Sequence, residues 1–98
     1  MVTFTEIIER TVRANYIKDD LSGYKVIGSA SYNKEQKLTD AYGDIRDKDD
    51  NHIANFNIYG AAEYARVSLT DCIAGRMSEA VEVAEATLAD LNAAYPNL

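Results

Sequence analysis

One cysteine is all this chain carries, so no disulfide can close within it, and the lone Cys72 fits a reducing compartment. It follows Leu69 and precedes Ile73, apolar company in which a free thiol behaves as a small hydrophobe. A reactive thiol needs a basic neighbour or a helix start, and the neighbour here is Asp71. No apolar run approaches the length of a membrane span. The opening Met1-Val2-Thr3-Phe4-Thr5-Glu6 lacks the basic region and apolar stretch of a secretory signal, so a cytoplasmic protein is expected. Basic residues stop at Arg76: residues 61–98 carry a net charge of −4 against −2 for residues 1–60, within a total of −6. A negative surface repels phosphate backbones and anionic lipid, which argues against nucleic acid and membranes as partners. Neither GxGxxG nor GxxxxGK[ST] occurs, so the glycines assemble no phosphate cradle.

What is present is alternation. With 98 residues, 47% of them hydrophobic, the chain suffices for a single α+β domain over 1–98 with one modest core. Residues 24–32, 37–47, 52–59 and 64–69 each alternate apolar and polar side chains, the signature of strands with one covered face. The inward row reads Val26, Gly28, Ala30, then Ala41, Gly43, Ile45, then Ala54, Phe56, Ile58, then Ala65, Val67, Leu69. Four-residue loops at Asn33–Gln36, Lys48–Asn51 and Gly60–Glu63 keep this facing consistent through three hairpins and set Lys25 opposite Asp44. Residues 61–75 also fit a helical stripe through Ala61, Ala62, Ala65, Leu69, Cys72 and Ile73, but Val-Ser-Leu-Thr favours a strand.

Helices are expected on either side of this meander. Thr3 and Glu6 have capping-box spacing, and Phe4, Ile7, Ile8, Val12 and Tyr16 form one stripe, so the spacing predicts a helix over about 4–17. Glu6–Arg10 and Glu9–Arg13 would be supporting pairs one turn apart. Ser78 can cap a final helix in which Ala80, Val81, Ala84, Thr87, Leu88, Leu91 and Tyr95 share a face, with Pro96 ending it. The expected architecture is a two-layer sandwich in the order α-β-β-β-β-α, both helices on one face of a four-stranded antiparallel sheet. Gly28 and Gly43 would let a helix approach.

Helix, antiparallel sheet, helix is also the order in double-stranded RNA-binding domains. Those use basic groups on phosphates, whereas the final helix here has Glu79, Glu82, Glu85 and Asp90 and no base. Asp47-Lys48-Asp49-Asp50-Asn51 spaces oxygens as a calcium loop does, but His52 replaces the needed glycine and Ile58 the closing acid, so a hairpin tip explains the run. His52 has no second histidine or cysteine at ligand spacing, and no metal or cofactor is expected. Small residues Ala86, Ala89 and Ala93 on the outer side of the last helix are ordinary helix formers that also permit a packing seam.

The candidate binding residues are on the outward sheet face: Tyr42, Tyr59, Tyr64, Arg66, Asn57 and Asp40. Tyrosine and arginine combine contact area with polar tips, and asparagines are poor strand formers that need a reason to be there. The expected function is a small acidic, non-catalytic interaction module that binds a partner protein or self-associates through this face. Two alternatives stand beside it. The base-free tail after Arg76 suggests an acidic inhibitor that mimics nucleic acid, and Asp40, Asp44 and His52 suggest a small-molecule or enzymatic site.

Overall fold

The computed structural model describes residues 1–9, 13–60 and 64–95. Six strands, β1 (Thr3–Glu9), β2 (Arg13–Lys18), β3 (Tyr24–Tyr32), β4 (Leu38–Asp47), β5 (His52–Tyr59) and β6 (Arg66–Cys72), precede the helix α1 (Met77–Asn92). The strands form one antiparallel sheet in sequence order, with α1 packed against β3, β4, β5 and β6. The α+β class is as expected, but among the described residues the sheet has six strands rather than four and there is no N-terminal helix.

The segment expected to be helical over 4–17 instead supplies β1 and β2. Thr3, Phe4, Thr5, Ile7, Ile8 and Ile17 are β-branched or aromatic, types that suit a pleated surface. Tertiary packing decides the matter at Tyr16. As a strand residue it lies opposite Gly28, is fully buried, and donates its hydroxyl proton to the Tyr42 carbonyl at 2.9 Å. The gap at Gly28 and Gly43, predicted to admit a helix, is therefore filled by rings. A β-carbon on Gly43 would lie 2.3 Å from the Phe56 ring and 2.9 Å from the Tyr16 hydroxyl oxygen. In place of a capping box, Glu6 accepts a hydrogen bond from Asn15 Nδ2 at 3.2 Å. Arg10, Val12 and Pro96 lie outside the described residues.

The inward row holds. Val26, Ala30, Ala41, Ile45, Ala54, Phe56, Ile58 and Ala65 are buried, with Val67 and Leu69 packed partly against them. The predicted register does not hold everywhere. Lys25 is opposite Arg46, and Asp44 is opposite Ile27. Two single-residue irregularities cause this two-residue shift. The β3–β4 loop is one residue longer than expected, because Asn33 N–H bonds the Lys37 carbonyl at 2.9 Å and Gln36 takes φ 64°. A bulge at Thr39 then adds the second residue. An even shift restores the parity of the pleat, so every side chain keeps its face while changing its neighbours. The β5–β6 register also differs by two residues, pairing Tyr59 with Arg66, and Tyr64 precedes the strand rather than lying in it.

Helix α1 buries Ala80, Val83, Ala84, Thr87, Leu88 and Leu91. Val83 takes the inward place predicted for Val81, which is 40% exposed. The helix begins one residue before the expected cap, with Arg76 at the N-cap position and no side-chain capping bond. Its far end is fixed by aromatic contacts: Tyr32 donates to the Leu91 carbonyl at 2.8 Å and meets Phe4 and Tyr95 edge-on. Lys18, inward at the end of β2 and almost fully buried, binds Asp20 at 2.6 Å and also Asp90 of α1. The Met1 ammonium joins the same two carboxylates, so the two anions are met by two cations.

Candidate functional site

With α1 on one face, the opposite face of the sheet has no protein element over it among the described residues. The register puts three rows of side chains across it. The first is Arg13, Ser31, Asp40, Tyr59, Arg66; the second is Asn15, Ser29, Tyr42, Asn57, Ser68; the third is Ile17, Ile27, Asp44, Asn55, Asp71. Asp40–Tyr59 and Tyr42–Asn57, the pairs that a four-residue loop at Lys48–Asn51 implies, are true neighbours. Arg66 stands beside Tyr59 instead of Asn57, and the exposed Tyr64 lies outside the strand rows. Tyr42 and Ile27 are 40% and 39% exposed, unusual for large apolar groups near the middle of a sheet. Beside them a shallow groove of about 770 Å³ runs along β2, β3 and β4, with Ile17, Ile27, Gly28 and Tyr42 among its lining and Lys25 and Arg46 at its end.

The structure also gathers a polar cluster that the sequence shows only in part. His52 Nδ1 lies 3.0 Å from Asp44 Oδ1 and its Nε2 lies 3.2 Å from Asp71 Oδ2. Arg46 Nε donates to the other Asp44 oxygen at 2.9 Å, and this bond holds the guanidinium more firmly protonated. Asp44 and His52 were candidate enzymatic residues and do meet; Asp40 is four residues along β4 and does not join them. Asp71 escaped sequence reading because β6 runs past residue 69 to Cys72. The chemistry of this cluster is limited. Both imidazole nitrogens face carboxylates, which leaves neither aimed at a substrate, and no nucleophile is hydrogen-bonded to the ring among the described residues. Nor is any group of three or more histidine, cysteine, aspartate or glutamate side chains placed to hold a metal among those residues.

Elsewhere the acidic groups have structural partners. Asp47 Oδ1 accepts the backbone N–H groups of Asp49 and Asn51, each at 2.9 Å, so the sequence spaced like a calcium loop closes the β4–β5 hairpin. Those bonds, that from Asn51 foremost, hold the Asp47 carboxyl below its usual range. Glu79 accepts from Arg76 and from the Tyr24 hydroxyl, and its pKa falls to about 2, chiefly through the Arg76 hydrogen bond.

Charge is divided unequally between the two sides. On the outward face Arg13, Lys25, Arg46 and Arg66 stand among Glu6, Asp40, Asp44 and Asp71, with Asp50 at the end of the groove 3.8 Å from Arg46, while Glu82 and Glu85 project from α1 with no base on that helix. No described helix is long and apolar enough to cross a membrane. Comparison of the chain with protein-family models, with curated proteins and with solved structures finds no match.

Proposed function

We propose that this chain is a small, non-catalytic protein-interaction module whose outward sheet face, centred on Tyr42, Tyr59 and Arg66 and bordered by Asp40, Asn57 and Tyr64, docks on another protein chain. One observation carries the reading: the face on which arginines and Lys25 are interspersed with carboxylates is also the one that exposes Ile27, Tyr42 and Tyr59 together. Desolvating that face removes apolar area from water without concentrating like charge, whereas the α1 side would present carboxylates to any acidic partner. Large aromatic and arginine side chains carry most of the binding energy at such surfaces. The doubly engaged His52 supports a structural reading of the polar cluster over a catalytic one.

The test is site-directed photocrosslinking in cells. A photoreactive residue in place of Tyr59 is expected to give protein adducts, and the same residue in place of Glu85 on α1 is expected to give none. Adducts from position 85 and none from 59 would move the working surface to the helix.

A further inference from the structure

We propose that the chain docked on this face is a second copy of itself, related by a two-fold axis crossing the strands at the Gly28–Gly43 level, with Asp40 of each copy set against Lys25 and Arg46 of the other. The inference rests on the reading of the outward face as a docking surface and adds the identity of the occupant. It starts from a local conflict. Lys25 stands directly opposite Arg46, and like charges at such a cross-strand position are unfavourable. Arg46 is held by Asp44, but the Lys25 side chain has no hydrogen bond or ion pair among the described residues. The Asp40 side chain, exposed on the same face, has none either. Among the described residues Lys25 is thus a cation, and Asp40 an anion, left without a partner on this face.

Their placement is self-complementary. Asp40 is opposite Ser31, six positions along β3 from Lys25, a separation of roughly 20 Å along the strand. Midway lies the Gly28–Gly43 pair. A two-fold rotation there exchanges the two ends of β3 and β4, so each Asp40 arrives at the Lys25–Arg46 pair of the other copy. The contact occurs twice, as an isologous interface requires. The same rotation brings Tyr42 of one copy beside Ile27 and Asp44 of the other, over the groove that those side chains border.

Size and charge agree with this occupant. Six strands about 4.8 Å apart, each about eight residues long at ~3.3 Å per residue, offer roughly 700 Å² per copy, near the ~800 Å² that a stable interface takes from each partner. Two chains of net charge −6 must associate where cations of one meet anions of the other, and the paired contacts of Asp40 with Lys25 and Arg46 meet that condition.

Sedimentation equilibrium on the purified chain tests the proposal. The unmodified protein is expected to reach twice its 10.8 kDa mass with rising concentration. Lys25→Glu and Asp40→Lys, both at exposed positions, should each weaken association about tenfold or more while far-ultraviolet circular dichroism stays unchanged. Mixing the two variants, or combining them in one chain, restores opposite charge at both contacts and should restore the dimer. A monomer at every concentration, or a dimer indifferent to these exchanges, would overturn the proposal. Crosslinks from position 59 to a different protein, with a monomeric purified chain, would overturn the second copy and leave the docking face intact. A dimer lost on Ala86→Glu but unaffected by Lys25→Glu would place the contact on α1 and overturn both readings.

Discussion

The two faces of this sheet meet opposite standards of completion. On the α1 side every polar group that enters the core has a partner. The Tyr16 hydroxyl reaches the Tyr42 carbonyl, Tyr32 reaches Leu91, Thr87 reaches Val83, and Lys18 is enclosed by Asp20 and Asp90. Among the described residues no buried side-chain nitrogen or oxygen lacks a hydrogen bond. On the outward side Lys25 and Asp40 are left to solvent, and large aromatic groups stand half exposed. Burial explains the difference, since an unmet polar group in the core costs roughly 1–3 kcal/mol while one in water costs little. The inward face is specified by stability. The outward face is free to be specified by recognition.

The largest expected effect tests the inward half of that contrast. Phe56 is fully buried and presses on Gly43, so Phe56→Ala should lose about 3–5 kcal/mol in denaturant unfolding. A loss below about 0.5 kcal/mol, typical of surface positions, would show that the facing is inverted. A smaller loss is expected where a side chain is added. A β-carbon at Gly28 would lie 1.8 Å from the Tyr42 carbonyl oxygen, a backbone atom that cannot turn aside. Gly28→Ala should therefore cost roughly 1–3 kcal/mol by overpacking, and near-neutrality would mean that β3 and β4 separate more easily than their register implies.

Acidity sharpens the comparison further. Glu79 has a folded pKa of about 2 against an ordinary value of 4.5, so its contribution is fully present above pH 4.5 and is lost as pH falls toward 2. Asp47 and Asp90 shift the same way; for Asp90, burial raises the value but hydrogen bonds from Lys18 and the terminal ammonium outweigh it. Burial raises Tyr16 and Tyr32 above their ordinary value of 10, so their contribution holds below pH 10 and is lost above it. Thermal midpoints should form a plateau between these limits. Glu79→Gln should flatten the acid limb, and an unchanged limb would assign acid loss to other carboxylates.

The central hairpins were legible because local signals agreed there. Long alternation in β3, β4 and β5 and the turn chemistry at Asp47–Asn51 point to the same strands. Residues 4–17 were ambiguous because Phe4, Ile7, Ile8, Val12 and Tyr16 satisfy a helical stripe while their β-branched neighbours favour a strand. Only packing against Gly28 and Gly43 chooses between them, and that contact is long-range in sequence. For the candidate site the facing was legible, but the neighbours were not. A bulge at Thr39 and an extended loop left no pattern in the sequence, yet together they moved Asp44 away from Lys25 and made the Lys25–Arg46 pair.

The smallest expected effect on stability is the one that most directly separates the two faces. Tyr42 and Tyr59 keep 40% and 57% of their surface accessible, so each buries only part of what a core ring such as Phe56 buries. Tyr42→Ala with Tyr59→Ala should therefore change unfolding free energy by about 1 kcal/mol, well below the loss at Phe56. The backbone carbonyl of Tyr42 that receives the Tyr16 hydroxyl is kept in this variant, so the inward face remains complete. The same variant should lose the association measured by sedimentation, because aromatic anchors in the middle of a contact dominate its energy. Stability and association are then uncoupled, as expected when one face builds the fold and the other meets a partner. If the variant instead unfolds easily, the tyrosines are structural, and the outward face has the same function as the inward one.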